Sequence, residues 1–285
     1  MRYRFIRFPE GKFKALTLSY DDGCLYDTKL VEIANKYGLK VTLNINSNMI
    51  AENENEWHLT AKKIKEITES GGHEIAVHGA NHIALAKATL VDGINDVLEC
   101  RKSLERTFGG IIRGMAYADS GIRVSTSGVS KDEIKNYLKS LGIAYARTLG
   151  GDNDSFQLLT DFYEWMPTAH HENPNLINYL DKFLNSEMPE YIASRTPLLF
   201  YLWGHSFEFN ANNNWDLLED FCQKAGAHDD IWYATNIEIF DYINAYRKLQ
   251  FNVDNTVVYN PTTTDIWFEI DGKTVCVKSN QMKSL

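Results

Sequence analysis

Three short polar clusters contain the residue types from which hydrolytic sites are built. The first is the string DDG at residues 21–23, the second is HGANH, which carries His78 and His82, and the third is WGHS, which carries His205. Two imidazoles and one carboxylate can hold Zn²⁺ or a similar divalent ion and leave one coordination position open. Water at such an ion becomes acidic enough to attack near neutral pH. The clusters predict metal-assisted hydrolysis, with one aspartate left as a base and His205 able to protonate a leaving group.

All three clusters lie where a predicted strand ends. Short apolar runs alternate with longer amphipathic stretches, which favours a parallel sheet with helices between the strands. The predicted strands cover residues 13–20, 40–46, 73–78, 111–117, 144–148, 198–203 and 231–234. The predicted helices cover a stretch up to residue 37 and residues 60–70, 90–108, 131–141, 176–184, 215–224 and 237–249. Seven such strands favour an α/β barrel over an open sheet, and in a barrel the carboxyl ends of the strands meet at one mouth.

The last part of the chain has a different pattern. The strings TVVY, DIWFEI and KTVCVK alternate in polarity, and Asn260-Pro261 and Asp271-Gly272 are turn signals between them. Such a pattern is typical of antiparallel strands joined by hairpins. We therefore predict a barrel domain over residues 1–249 and a small β-hairpin appendage over residues 250–285, packed on the barrel.

Composition narrows the choice of partners. The net charge is −9 and no run of Lys or Arg is present, so nucleic acid and anionic membrane surfaces are poor partners. The N-terminus has no apolar stretch of signal-peptide length, and no apolar segment approaches the length of a membrane span. The four cysteines are scattered singly, as free thiols in a reducing compartment would be. We expect a cytoplasmic protein, and the sequence leaves its oligomeric state open.

On these motifs the chain resembles the polysaccharide deacetylase family, which includes chitin, chitooligosaccharide and peptidoglycan N-deacetylases. LSYDDG is similar to the family motif T-F-D-D-G, HGANH to H-x-x-x-H, and WGH to a motif of an apolar residue, any residue and His. The resemblance implies a distorted (β/α) barrel and one divalent ion, zinc being favoured, held by Asp22, His78 and His82. It also implies Asp21 as general base and His205 as general acid. The implied partner is an acylated amino sugar or oligosaccharide.

The resemblance also implies residues that contact the substrate. Trp203 takes the apolar place that lines the acyl-methyl pocket, and Trp165, in YEWMP, would wall the cleft where the family has D-x-x-D-W. Tyr117 and Arg113 lie in the region of the motif R-P-P-Y, whose Arg orients the base and whose backbone N–H binds the oxyanion. That region reads RGMAYADSG here, and Arg113 is one residue too far from Tyr117. Either Arg113 reaches the base by a different backbone path, or another group orients the base.

Other functions stay open at this point. A metal-free amidohydrolase of cyclic imides or ureides on the same barrel would have lost metal ligands, whereas all three are present. A non-catalytic carbohydrate-binding protein would not need Asp21 or His205. A deformylase of lipid-linked sugars would call for a basic amphipathic surface, which the sequence lacks. The pair His170-His171 either lines the mouth or belongs to an ordinary loop, and the sequence leaves the sugar, its chain length and the acyl linkage undecided.

Overall fold

The computed structural model describes residues 2–54, 57–123, 125–150 and 153–285. Its strands, in chain order, are β1 (Arg4–Arg7), β2 (Lys14–Asp21), β3 (Val41–Ile45), β4 (Glu74–Val77), β5 (Gly114–Ala116), β6 (Tyr145–Arg147), β7 (Ala169–His170), β8 (Leu198–Gly204), β9 (Ile231–Tyr233), β10 (Gln250–Phe251), β11 (Val257–Tyr259), β12 (Ile266–Ile270), β13 (Lys273–Val277) and β14 (Met282–Ser284). Its α-helices are α1 (Asp27–Lys36), α2 (Ala61–Gly71), α3 (Leu90–Phe108), α4 (Lys131–Ser140), α5 (Leu176–Leu184), α6 (Ser206–Ala211), α7 (Trp215–Ala225) and α8 (Asn236–Arg247).

Within these described residues, eight parallel strands form one curled sheet. Seven of them follow the order β6-β5-β4-β3-β2-β8-β7, and β9 pairs with β2. The strand β2 pairs with β8 along most of its length, with β9 over residues 14–16 and with β3 over residues 18–21. Among the helices, α1 packs against α2 and α7, and α3 packs against α2 and α4. The predicted distorted (β/α) barrel is confirmed.

Alternation along the strands separates two faces of the sheet. All eight residues of β2 are buried, but successive side chains point to opposite sides. Leu16, Leu18 and Tyr20 pack in the large apolar cluster beneath the helices. The alternate residues face the barrel interior, where Thr17 donates a hydrogen bond to Asn236. Asp21 has the same parity as Thr17, so its carboxylate lies on the interior face at the carboxyl end of the strand.

Several helices begin at side-chain caps that the sequence provides. Thr60 and Thr89 accept a hydrogen bond from the backbone N–H three residues later. Ser130 and Thr235 form complete capping boxes with Glu133 and Glu238. Such caps satisfy N–H groups that the first helical turn leaves unpaired, so they define where α2, α3, α4 and α8 begin.

The antiparallel strands near the C-terminus are joined by one strand from near the N-terminus. The strands β1, β12 and β13 form one antiparallel sheet, and β10, β11 and β14 form another. Arg7 of β1 is fully buried and donates to the Glu269 carboxylate of β12 at 2.6 Å. Tyr242 of α8 donates its hydroxyl to the Arg7 carbonyl at 2.8 Å and accepts the Trp267 N–H at 2.9 Å. The predicted antiparallel strands are confirmed, and the division at residue 249 stays a prediction.

None of the helices in the described ranges is long and apolar enough to cross a membrane.

Candidate metal and acid–base site

The carboxyl ends of β2, β4 and β8 bring the three predicted clusters together. Asp21 is the last residue of β2, His78 directly follows β4, and His205 directly follows β8. The Nε2 atoms of His78 and His205 each lie 3.9 Å from Oδ2 of Asp21. Asp22 and His82 complete the group, because both lie next to His78. The structure therefore places all five residues with predicted metal or acid–base roles in one site.

Asp22, His78 and His82 present a set of donor atoms that fits a divalent ion. Oδ1 of Asp22 lies 3.4 Å from Nε2 of His78 and 3.5 Å from Nε2 of His82. Oδ1 of Asp22 and Nε2 of His78 are buried and have no hydrogen-bond partner. Nδ1 of His78 is 3.0 Å from the Ala116 carbonyl, which can only accept, so the proton lies on Nδ1 and the lone pair on Nε2. An ion bound by these atoms would satisfy buried groups that otherwise lack a partner.

The backbone around these donors is held in an unusual conformation. Asp22 and His82 have φ angles of +78° and +55°, in the left-handed region that residues other than glycine adopt uncommonly. The loop before His82 is anchored by Asp96 of α3, whose Oδ1 accepts the Asn81 N–H at 2.8 Å. A Cβ atom at Gly79 would lie 2.4 Å from the Asp96 carboxylate. Only glycine therefore fits at this turn, and the turn aims His82 toward Asp22.

Two buried side chains hold the Asp21 carboxylate. Asn44 of β3 donates its Nδ2–H to Oδ1 at 2.8 Å, and Arg147 at the end of β6 forms an ion pair with Oδ2. Asp21 is 2% exposed and Arg147 is 0% exposed, so the pair is shielded from water. The Arg147 guanidinium carbon also lies 4.5 Å over the ring of Trp203. Sequence analysis missed Arg147. It lies one residue before the end of the strand predicted at 144–148, so the rule that functional groups follow the ends of strands, which located the other groups, could have found it.

The structure corrects the sequence prediction for Arg113 and Tyr117. Arg113 precedes β5, at the end of that strand opposite to the site, and pairs with Asp241 of α8 at 2.6 Å. Tyr117 points to the same side as the outward-facing residues of β5, and it packs in the cluster beneath the helices. Its hydroxyl donates to the Tyr163 carbonyl at 3.0 Å, and its N–H donates to the Arg147 carbonyl at 2.9 Å. Neither donor of Tyr117 is free to bind a substrate.

The two predicted tryptophans have different positions. Trp165 is 1% exposed and packs edge-on against Tyr145 and Tyr201, with both ring centroids at 5.2 Å. These partners lie two positions before the mouth residues of β6 and β8, so Trp165 belongs to the core below the mouth and does not wall a cleft. Trp203 is 9% exposed, and its ring lies 5.8 Å from that of His205. Trp203 therefore stays a candidate for substrate contact.

A carboxylate that sequence analysis did not single out faces His205. Oε2 of Glu208 in α6 lies 3.3 Å from Nδ1 of His205, and 3.2 and 3.3 Å from Nε2 of His170 and His171. Nδ1 of His170 accepts the Glu172 N–H at 3.2 Å, so a neutral His170 carries its proton on Nε2, toward Glu208. Nδ1 of His205 and Nε2 of His171, which also face Glu208, are buried and have no hydrogen-bond partner. The spacing of His205 and Glu208, about one helical turn, was the signal available in the sequence.

Electrostatics set the charge of these groups. Burial raises the pKa of Asp22, but the imidazoles around it, His78 first, outweigh burial and hold the pKa at about 2. Burial lowers the pKa of His205, but the carboxylates of Glu208 and Asp21 outweigh burial and raise the pKa to about 9. Glu208 in turn has a lowered pKa because its imidazole neighbours outweigh burial. Near neutral pH the site therefore holds an anionic Asp22 beside a protonated His205.

A protein-family comparison matches the part of the chain that carries most of the site. The polysaccharide deacetylase family model matches residues 8–146, the part of the chain that includes Asp21, Asp22, His78 and His82. The resemblance to the polysaccharide deacetylase family is confirmed, and His205 lies beyond the matched residues. No curated protein matches the chain.

Solved structures share the fold at low sequence identity. A predicted polysaccharide deacetylase of Mycobacterium smegmatis is 17% identical, with a TM-score of 0.53 over 85% of this chain and 94% of that one. The chitin deacetylase of the fungal pathogen Colletotrichum lindemuthianum is 17% identical, with a TM-score of 0.49 over 80% and 87%. The Streptococcus pyogenes deacetylase PplD, solved with acetate, is 19% identical, with a TM-score of 0.41 over 47% and 55%. The chain thus spans about half the length of PplD, and the M. smegmatis structure supports the barrel fold alone.

Proposed function

We propose that this protein is a metal-dependent hydrolase that removes an acyl group from an N-acetylated amino sugar or oligosaccharide. The observation that carries the proposal is the donor set of Asp22, His78 and His82, with two buried, unpartnered donor atoms, directly beside the anchored carboxylate of Asp21. The family match over residues 8–146 supports deacylation of sugars. An open position on such an ion, next to a base and an acid, is typical of a hydrolytic site.

The residues on the attacking side divide into ion holders and a base. Asp22, His78 and His82 would hold the ion, which supplies a Lewis acid that activates water and polarises the acyl carbonyl. Asp21 would accept a proton from the attacking water, because its Oδ2 lies only 3.9 Å from Nε2 of His78. The hydrogen bond from Asn44 and the ion pair with Arg147 keep that carboxylate in one orientation.

The residues on the leaving-group side form an acid with its anchor. His205 points Nδ1 toward Glu208 at 3.3 Å and Nε2 toward Asp21 at 3.9 Å. An imidazolium carries a proton on each ring nitrogen, so one proton of His205 lies on Nε2 and faces the site. His205 would donate that proton to the departing amine, and Trp203 beside it would contact the acyl group.

The metal requirement and the reaction can be tested together. We expect the purified protein to bind about one equivalent of zinc and to release acetate from N-acetylated sugars only while zinc is bound. His78→Ala and His82→Ala should each lose the ion and the activity, because each removes one of three protein ligands. Elemental analysis and acetate release from a panel of N- and O-acetylated mono- and oligosaccharides measure both effects.

His228→Ala is the matched control. His228 precedes β9, at the end of the barrel opposite to the site, and its Nε2 contacts the Lys224 carbonyl at 2.9 Å, so this variant should keep zinc and activity. Acetate release that survives removal of the metal would reject the metal-dependent proposal and favour the metal-free amidohydrolase, as would turnover of cyclic imides alone.

The pH dependence should reveal the contact between Glu208 and His205. Burial lowers the pKa of His205, but the carboxylates of Glu208 and Asp21 outweigh burial and raise it. The imidazolium is the form that donates a proton, so activity should fall as pH rises through the pKa of His205. Glu208→Gln removes the negative charge that raises this pKa, so the alkaline limb of the kcat profile should move to lower pH. The dependence of kcat on pH, recorded for the wild type and for Glu208→Gln at saturating zinc, measures the shift. If the alkaline limb did not move, Glu208 would not be the residue that raises the pKa of His205.

A further inference from the structure

A buried series of hydrogen bonds joins the segment after β2 to the segment after β8. Sγ of Cys24 lies 3.0 Å from Oγ of Ser206, and the Ser206 hydroxyl donates to Oδ1 of Asp27 at 2.5 Å. All three residues are 0% exposed. Because the single hydroxyl proton of Ser206 is given to Asp27, the Cys24 thiol is the donor to Ser206. Cys24, Ser206 and Asp27 are here called the buried linkage.

The buried linkage lies next to groups on both sides of the proposed reaction. Cys24 is two positions after Asp22, a proposed metal ligand, and Ser206 directly follows His205, the proposed acid. The Asp27 N–H donates to the Cys24 carbonyl at 3.0 Å, so these two residues share one turn at the start of α1. Ser206 is the first residue of α6. The linkage therefore fixes the backbone of His205 relative to the turn that follows Asp22.

A carboxyl group at the position of Asp27 costs free energy. The side chain is fully buried, and its Oδ2 atom has no hydrogen-bond partner. Burying an unsatisfied carboxyl oxygen is unfavourable, and well-packed apolar side chains in place of such groups often leave a protein equally or more stable. What the Asp27 carboxyl provides is an acceptor at a defined point for the Ser206 hydroxyl. Its cost to the fold is explained if the position of Ser206 matters to the site.

A second contact joins the same two segments. Asn210 of α6 donates its Nδ2–H to the hydroxyl of Tyr26, the residue before Asp27, at 2.8 Å. This contact is exposed, whereas the contact between Ser206 and Asp27 is buried. A buried hydrogen bond is shielded from competition with water, so the linkage at Ser206 restricts α6 more than the contact at Asn210 does.

We propose that Asp27 is a positioning residue for the acid, because it holds His205 in its place through the Ser206 hydroxyl. Nε2 of His205 lies 3.9 Å from Oδ2 of Asp21, and a proton donor must lie within hydrogen-bond reach of the departing amine. Glu208 contacts the imidazole itself, whereas Asp27 acts on the backbone that carries it. This inference rests on the proposed deacylase function, since it concerns how the proposed acid is held.

Kinetics with two leaving groups test the assignment. Ser206→Ala and Asp27→Leu each break the linkage, so kcat on an N-acetylated sugar should fall by roughly 10–100-fold, the scale of a catalytic group misplaced by about 1 Å. An activated aryl acetate needs no proton on departure, so its kcat should change by less than about 2-fold. Asp27→Asn keeps an oxygen that accepts the Ser206 hydroxyl and should restore most of the rate on the sugar. The zinc content should be the same in all these variants.

Thr42→Val is the matched control. The Thr42 hydroxyl also donates to a buried carboxylate, Oε2 of Glu74, at 2.9 Å, but it does so at the amino end of β4, away from the site. This variant should lower the thermal midpoint of unfolding and leave the ratio of sugar to aryl acetate rates unchanged. If Ser206→Ala lost equally on both substrates while His205→Ala lost only on the sugar, the linkage would not position the acid, and the proposal would be overturned.

An NMR measurement separates failure of this inference from failure of the proposed function. The Cε1–H resonance of His205, identified as the one missing from His205→Ala, reports the surroundings of the ring without turnover. It should shift in Asp27→Leu and keep its position in Asp27→Asn and Thr42→Val. Acetate release by the wild type, with an unshifted resonance and unchanged rates in Asp27→Leu, would overturn the positioning role and leave the deacylase function intact. A shifted resonance in Asp27→Leu, with a wild type that releases no acetate, would support the linkage and reject the deacylase function.

Discussion

Asp21→Asn is expected to lower kcat for acyl release by roughly 10²–10⁴-fold, the usual contribution of a general base, without loss of zinc. The amide keeps the size of the side chain and the contact to Asn44, but it cannot take a proton from water. Asp21 is not one of the three proposed metal ligands, so the zinc content should stay near one equivalent. Elemental analysis, carried out alongside the kinetics, measures the zinc content.

The same experiment extends to the residue that orients Asp21. Arg147→Met keeps an unbranched apolar side chain but leaves a buried carboxylate without its ion pair, so kcat should fall and the thermal midpoint should drop as well. Arg147→Lys restores the charge without the planar fork and should recover part of kcat. Arg113→Met is the matched control, since the Arg113 guanidinium pairs with Asp241 of α8 away from the site, and it should retain the wild-type kcat. The reverse result, with Arg113→Met impaired and Arg147→Met active, would return the orienting role to Arg113.

His205→Ala is expected to be impaired in proportion to the basicity of the leaving group. An amine must be protonated as it departs, so kcat on an N-acetylated sugar should fall by roughly 10²–10⁴-fold. An activated aryl ester has a leaving group that departs as a stable anion, so its hydrolysis should be nearly unaffected. Asp21→Asn should be impaired on both substrates, because both require attack by water, and it serves as the internal comparison.

An equal loss on ester and amide would contradict this role for His205. The residue would then orient the substrate or stabilise the oxyanion, and Glu208 would anchor that function instead. Zinc analysis of His205→Ala decides whether an equal loss arises from an altered metal site, because His205 lies outside the proposed donor set.

The strand-end rule predicted which residues meet at the mouth, but not which side of each strand they face. Asp21, His78 and His205 were placed correctly because each lies at or directly after the end of a strand that the sequence predicted. The strand at residues 111–117 was predicted from its apolar character, whereas β5 covers only Gly114–Ala116. Over so short a strand the facing of Tyr117 depends on register with the neighbours β4 and β6, which the sequence does not encode locally.

Contacts between distant segments account for the other differences. The helices at 90–108 and 176–184 have the predicted bounds, since amphipathic periodicity is a local property. The two-residue strand β7 and the six-residue helix α6 are too short to show any period, yet they carry His170 and Glu208. The loop around Trp57 is positioned by backbone hydrogen bonds with Gly23 and Leu25, which are contacts between distant segments that no local pattern predicts.

The pairing of β1 with β12 has a consequence for how the chain is made. Arg7 and Glu269 are separated by 262 positions, so during synthesis the first strand emerges from the ribosome long before its partner exists. The barrel sheet can assemble meanwhile, because β2 needs only β3, β8 and β9, all of which precede β12. Closure of such a long loop is slow compared with local helix formation. Arg7 then stays hydrated until the last strands arrive, and a chain stalled before residue 266 would expose the edge of β1 to chaperones and proteases.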